Sequence, residues 1–142
     1  MYNKILVPTD GSTYANQEVE RVKKLISEDG EIIVLSVAGK LTSSAFQSRR
    51  KVRKVNDILQ KEAQQAVDNM ASKFDDNYNV TKMVLTGFPA ETIKQVTEDE
   101  GVDLIVISAS GKSGFQRFVI GSVAEKVLKD SEIDVLLVHN QD

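Results

Sequence analysis

The sequence predicts an α/β fold: a single doubly wound domain with a five-stranded parallel sheet and helices on both faces. Three observations carry that expectation. Strand-like and helix-like segments alternate along the chain, the order of a parallel sheet built from crossover units. The strand segments, such as Ile5-Leu6-Val7 and Leu104-Ile105-Val106-Ile107, are apolar runs without polar alternation, as strands covered on both faces require. The chain has 142 residues, the length of one ordinary domain, so residues 1–142 read as one unit without linker or repeat.

The first strand is expected over residues 4–8, closed by the turn cluster Pro8-Thr9-Asp10-Gly11-Ser12. Ala15, Val19, Val22 and Ile26 recur at helical spacing and predict a helix over residues 12–28, ended by Asp29-Gly30. Residues 31–37 form a β-branched apolar run, the second strand. After a small-residue loop, Val52, Val55, Leu59, Ala63, Ala66, Met70 and Phe74 mark a long amphipathic helix over residues 46–74. Residues 80–86 read as the third strand. Gly87-Phe88-Pro89 turns into the third helix, with Pro89 at its first position, Ile93, Val96 and Thr97 facing inward, and Gly101 as its stop. Residues 103–108 are the fourth strand. Gly121-Ser122 opens the fourth helix, where Val123, Val127 and Leu128 are expected inside and Ser122-Val123-Ala124-Glu125 fits a capping box. Residues 134–139 are the fifth strand.

Composition removes several classes of function. The formal net charge of −3 lacks the basic footprint of a nucleic-acid binder, and with no tryptophan a base-stacking platform is not expected. There is no cysteine, so disulfides, thiolate metal sites and cysteine nucleophiles are excluded. No apolar run approaches the roughly 18 residues of a membrane span, and the N-terminus lacks a signal-peptide pattern. A cytoplasmic protein is the expectation. The only histidine, His139, stands at a strand end and reads as exposed or structural. The basic run from Arg49 to Lys54 reads as a solvated helix start rather than a nucleic-acid or membrane patch.

In doubly wound sheets, ligands sit beyond the strand C-termini where strand order reverses. Two such ends carry suggestive chemistry. One is residues 8–12. The other is residues 108–122, a Gly- and Ser-rich loop running into a helix start. Backbone amides there, with a helix N-terminus behind them, suit an anion, most often a phosphate. Gly111-Lys112-Ser113 mimics the end of a Walker A motif, but Val106 stands where that motif needs glycine.

These residues resemble a known family. Residues 5–12, Ile-Leu-Val-Pro-Thr-Asp-Gly-Ser, are similar to the first strand and loop of universal stress proteins. Gly87-Phe88-Pro89-Ala90 resembles that family's turn into its third helix. ATP-binding members carry G-x2-G-x9-G-[ST] after the fourth strand; here Ser108, Gly111, Gly121 and Ser122 keep that spacing, with serine for the first glycine. Serine at Ser108 costs on the order of 1 kcal/mol or more if the position needs positive φ or close approach of a ligand, and is harmless on backbone grounds if φ is negative.

The resemblance implies an adenine nucleotide α-hydrolase-like fold and a stress-response regulatory protein. It implies binding of ATP or a related adenine nucleotide, with or without Mg²⁺, between the loops after strands one and four. The implied contacts are Pro8, Thr9, Asp10, Val37, Ser108, Gly111, Gly114, Gly121, Ser122 and Val123. Lys112, Ser113 and Arg117 join them on charge and position. It also implies a homodimer through the terminal strand, residues 134–138. The competing reading is a dimeric stress protein that binds no nucleotide and acts by protein–protein contact. Asp10 has a bland alternative, the N-cap of the first helix. No general base is assigned, so any ATP hydrolysis is expected to be slow. ATP pyrophosphatases of related fold carry S-G-G-x-D-S after the first strand, and this chain has Pro-Thr-Asp-Gly-Ser instead.

Overall fold

The two apolar runs that open the chain and follow Asp103 become neighbouring strands in the middle of a sheet. The computed structural model describes residues 1–12, 15–42, 48–109 and 120–139. The elements are β1 Tyr2–Pro8, α1 Ala15–Leu25, β2 Ile26–Ala38, α2 Arg49–Ala71, β3 Asn79–Thr86, α3 Pro89–Glu100, β4 Leu104–Ser108, α4 Ser122–Asp130 and β5 Asp134–Val138. The strands form one sheet in the order β3-β2-β1-β4-β5, and every pairing is parallel. This is the predicted α/β architecture, with its reversal of strand order between β1 and β4.

Strand side chains alternate between faces, so one apolar run feeds two cores. Ile5 and Val7 of β1 join Ile32 and Val34 of β2 under Val19, Val22, Val67 and Met70 of α1 and α2. Leu6, Ile33 and Leu35 face the other way, under Ile93 and Val96 of α3 and Ala124 and Val127 of α4. The middle of the sheet is sealed: Ile5, Leu6 and Val7 are all fully buried. Asp103 joins β4 to β1, accepting hydrogen bonds from the backbone N–H groups of Asn3 and Lys4, both at 2.9 Å.

Helix α3 keeps the bounds its sequence announces. Pro89 stands in the first turn, where its missing N–H leaves no bond unmade. Gly101 ends it in the left-handed region at φ 66°, its N–H bonded to the Thr97 carbonyl. Thr97 is half-buried and donates its hydroxyl back to the Ile93 carbonyl at 2.8 Å.

Other bounds differ from expectation. Helix α1 stops at Leu25, not at 28, because β2 begins at Ile26 and pairs there with Tyr2. Ile26 satisfies both patterns, and the buried pairing wins over helical periodicity. The register then shifts, so that Lys4 is opposite Glu31. Helix α2 begins at Arg49 behind the Ser48 cap, whose side chain accepts from the Lys51 N–H. The expected start at Phe46 lies outside the described residues. The helix ends at Ala71, and Phe74 is buried beyond it. The basic residues of the α2 start are exposed while Val52 is buried, and His139 is exposed. Leu128, expected inside α4, is 39% exposed. Ala124 and Val127 hold the inward stripe instead, and the short helix turns Leu128 to its flank.

Gly30 is where β2 folds back against its own start. A Cβ built there would meet Ile26 Cδ1 at 2.6 Å and Cγ1 at 2.8 Å. Ile26 is buried, so its side chain would have to repack within the core to make way. Gly30→Ala is therefore expected to lower stability by about 1–3 kcal/mol. Urea denaturation measures this, and an unchanged midpoint would show that the turn opens without cost.

Candidate functional site

The sheet parts where its strand order reverses. β1 and β4 pair at Ile5–Leu104 and Leu6–Ile105. β1 stays with β2 as far as Pro8–Leu35, and β4 stays with β5 as far as Ser108–Val138. The C-terminal halves of β1 and β4 thus follow different neighbours. Beyond the parting lies a cleft of about 430 Å³, within the range of small-molecule sites.

Local chemistry shapes the loop after β1. The Thr9 N–H donates to the Leu35 carbonyl at 2.8 Å, which carries the backbone one residue past the strand. Asp10 Oδ1 accepts from the Ser12 N–H at 3.0 Å, and Thr9 Oγ1 accepts from the Gly11 N–H at 3.2 Å. Gly11, at φ 83°, supplies the positive φ of this bend. Asp10 therefore shapes its own turn, and Gly11 at positive φ is not helical, so Asp10 closes an Asx turn instead of capping α1.

On the other wall, Ser108 ends β4 and Ala109 donates to the Val138 carbonyl at 2.8 Å. No non-glycine residue among those described has positive φ, so Ser108 needs none of the freedom of the glycine it replaces. The Gly121 N–H bonds the Ala109 carbonyl at 2.6 Å, which holds the end of β4 beside the start of α4. Gly121 is the N-cap of α4, at φ −65° and ψ 155°, with no side-chain cap bond. Ser122 is the first helical residue, so the capping box expected from it does not form. Ser122, Val123 and Ala124 carry the first-turn N–H groups, which have no acceptor within the helix.

The structure brings Pro8, Thr9, Asp10, Val37, Ser108, Gly121, Ser122 and Val123 together around this one cleft. Gly111, Lys112, Ser113, Gly114 and Arg117 lie outside the described residues. Leu35, Pro89, Ile93, Ile107, Ala109 and Ala124 complete an apolar wall that sequence reasoning did not assign to the site. The same reasoning missed Glu18. This residue lines the cleft and is 2% exposed. Burial, reinforced by the Asp10 charge, raises its carboxyl pKa to about 8. Its signal was present: Glu18 stands three residues after Ala15 and four before Val22, on the apolar stripe. Among the described residues no three of His, Cys, Asp and Glu are placed to hold a metal ion.

Residues 1–139 match the universal stress protein family. The chain is similar to Universal stress protein MJ0577 of Methanocaldococcus jannaschii, 31% identical over 158 aligned positions that cover 97% of this chain and 95% of that one. The solved structure of MJ0577 superposes with a TM-score of 0.77 at 30% identity, covering 100% and 99% of the two chains. A universal stress protein in complex with cAMP shares the fold at TM-score 0.64 and 20% identity, over 99% of each chain. So does an AMP-bound member from Arabidopsis thaliana, at TM-score 0.67 and 19% identity, over 96% and 90%.

Proposed function

Because the chain belongs to the universal stress protein family, we propose that it is a stress-response regulatory protein that binds an adenine nucleotide in the cleft between β1 and β4. The observation that carries this reading is the cleft's composition. One wall, from Leu35, Val37, Ile93 and Ile107, suits a purine. The other presents the uncapped start of α4, whose amides and dipole favour an anionic group. Relatives of the same fold in complex with cAMP and AMP support the ligand class. Ser108 gives no conformational ground for preferring the nucleotide-free alternative.

ATP is the nucleotide the retained glycine spacing points to, with Gly111, Lys112, Ser113, Gly114 and Arg117 completing the phosphate side. Among the described residues, Asp10 and Glu18 are the only carboxyls lining the cleft, and Glu18 is held neutral. Mg²⁺ would therefore enter with the phosphates and not on a preformed protein site. The role is binding that shifts the balance between two conformations or partner states, with hydrolysis slow at most. Dimerisation would use β5, an edge strand whose Val135, Leu136 and Leu137 are only half-buried.

The test is calorimetric titration of the full chain with ATP, ADP, AMP and cAMP, with and without Mg²⁺. Binding at micromolar to submillimolar concentration is the expected result. No heat at millimolar nucleotide would leave the protein-contact reading standing instead.

A further inference from the structure

We propose that Glu18 is a further ligand-contacting residue of the cleft, its carboxyl Oε2 donating a hydrogen bond to a phosphoryl oxygen of the bound nucleotide. The inference rests on the nucleotide reading above and adds to it a contact from α1. Glu18 Oε2 is buried and has no hydrogen-bond partner among the described residues. No other side-chain oxygen or nitrogen among them is left so. Such an atom costs about 1–3 kcal/mol, and folded proteins keep few of them. Glu18 lines the cleft, and a change of its side-chain rotamer on ligand binding would bring Oε2 to the cleft surface.

The surroundings make this group a donor. Burial and the charge of Asp10 both oppose ionisation, so the carboxyl carries its proton at neutral pH. β4 brings no titratable group against α1. β1 brings Tyr2 and Lys4 at its far end, where Lys4 pairs with Glu31 at 3.8 Å. The charged residues of α2, from Arg49 to Asp68, are all exposed. Asp10 is the charge that acts on Glu18. A protonated carboxyl beside a phosphate makes a short, charge-assisted bond, whereas an ionised one would repel it. A divalent cation bridging Asp10 and Glu18 is the less favoured occupant, since it needs Glu18 charged and finds no third ligand among the described residues.

Calorimetry with ATP, AMP and adenosine, on the full chain and on Glu18→Gln and Glu18→Ala, decides the matter. Glu18→Gln keeps a donor that does not titrate, so the affinity it retains should not depend on ionisation at this position. From about pH 7 to about pH 9, wild-type affinity should fall about tenfold relative to Glu18→Gln. That variant also subtracts any titration of the nucleotide itself. Glu18→Ala should bind nucleotide about tenfold more weakly than wild type at pH 7. Adenosine should be indifferent to all three changes. Equal pH slopes for wild type and Glu18→Gln would overturn the contact while leaving the nucleotide reading intact. Equal losses with adenosine would do the same. Loss of a Mg²⁺-dependent affinity in Glu18→Gln would replace the donor with a cation site. If wild type bound no nucleotide at all, both readings would fall together.

Discussion

Glu18→Gln is expected to remove most of the pH dependence of stability between about pH 5 and pH 9. The carboxyl has a pKa of about 8 in the fold against 4.5 as its ordinary value. Between those values the folded state holds a proton that the unfolded chain has released. Stability therefore falls as pH rises through that window and levels off above the folded value. The loss for wild type is on the order of 4 kcal/mol, since Glu18 is almost wholly buried and solvent screens it little. At about pH 5 both folded proteins carry a neutral side chain at this position and should unfold at similar denaturant concentrations. At about pH 9 the variant should be the more stable by most of that amount. Urea midpoints across the range measure this directly. Parallel curves would mean that Glu18 is solvated or paired in solution, which would also remove the ground for its contact with ligand.

Gly121→Val is expected to abolish nucleotide binding while leaving the fold in place. Gly121 lines the cleft and caps α4 at φ −65°, a conformation open to any residue. Valine is a poorer N-cap than glycine, so stability should drop by no more than about 1 kcal/mol. Its side chain would stand where an anion approaches the first-turn amides of α4. Losing one or two bonds to a charged group corresponds to about 30-fold or more in affinity. A calorimetric titration beside a circular dichroism melt separates the two effects. Wild-type affinity in a folded Gly121→Val protein would move the anion away from the α4 start.

The fold was legible because its signals are local and redundant. Pro89 and Gly101 bound α3 by backbone chemistry that no distant contact alters. The apolar runs of β1 and β4 named the sheet, since only strands covered on both faces afford such runs. Boundaries failed where one residue fits two patterns. Ile26 continues the stripe of α1, yet its pairing with Tyr2 places it in β2. Ser122 fits a capping box, yet the Gly121 N–H bond to Ala109 sets the helix start one residue earlier than the motif requires. Leu128 was expected inside from its type, but what α4 packs against decides its exposure.

The sequence by itself determined the parallel α/β sheet, the alternation that divides its apolar residues between two cores, and the polar turn chemistry at the ends of β1 and β4. Those follow from periodicity and turn chemistry, which act over a few residues. Only the tertiary structure decided where β1 and β4 part, which apolar side chains wall the cleft, and that Glu18 is sealed against them. A carboxyl on a helix is charged and ordinary until the elements around it exclude water. That exclusion depends on residues far apart in the chain, so no window of sequence contains it.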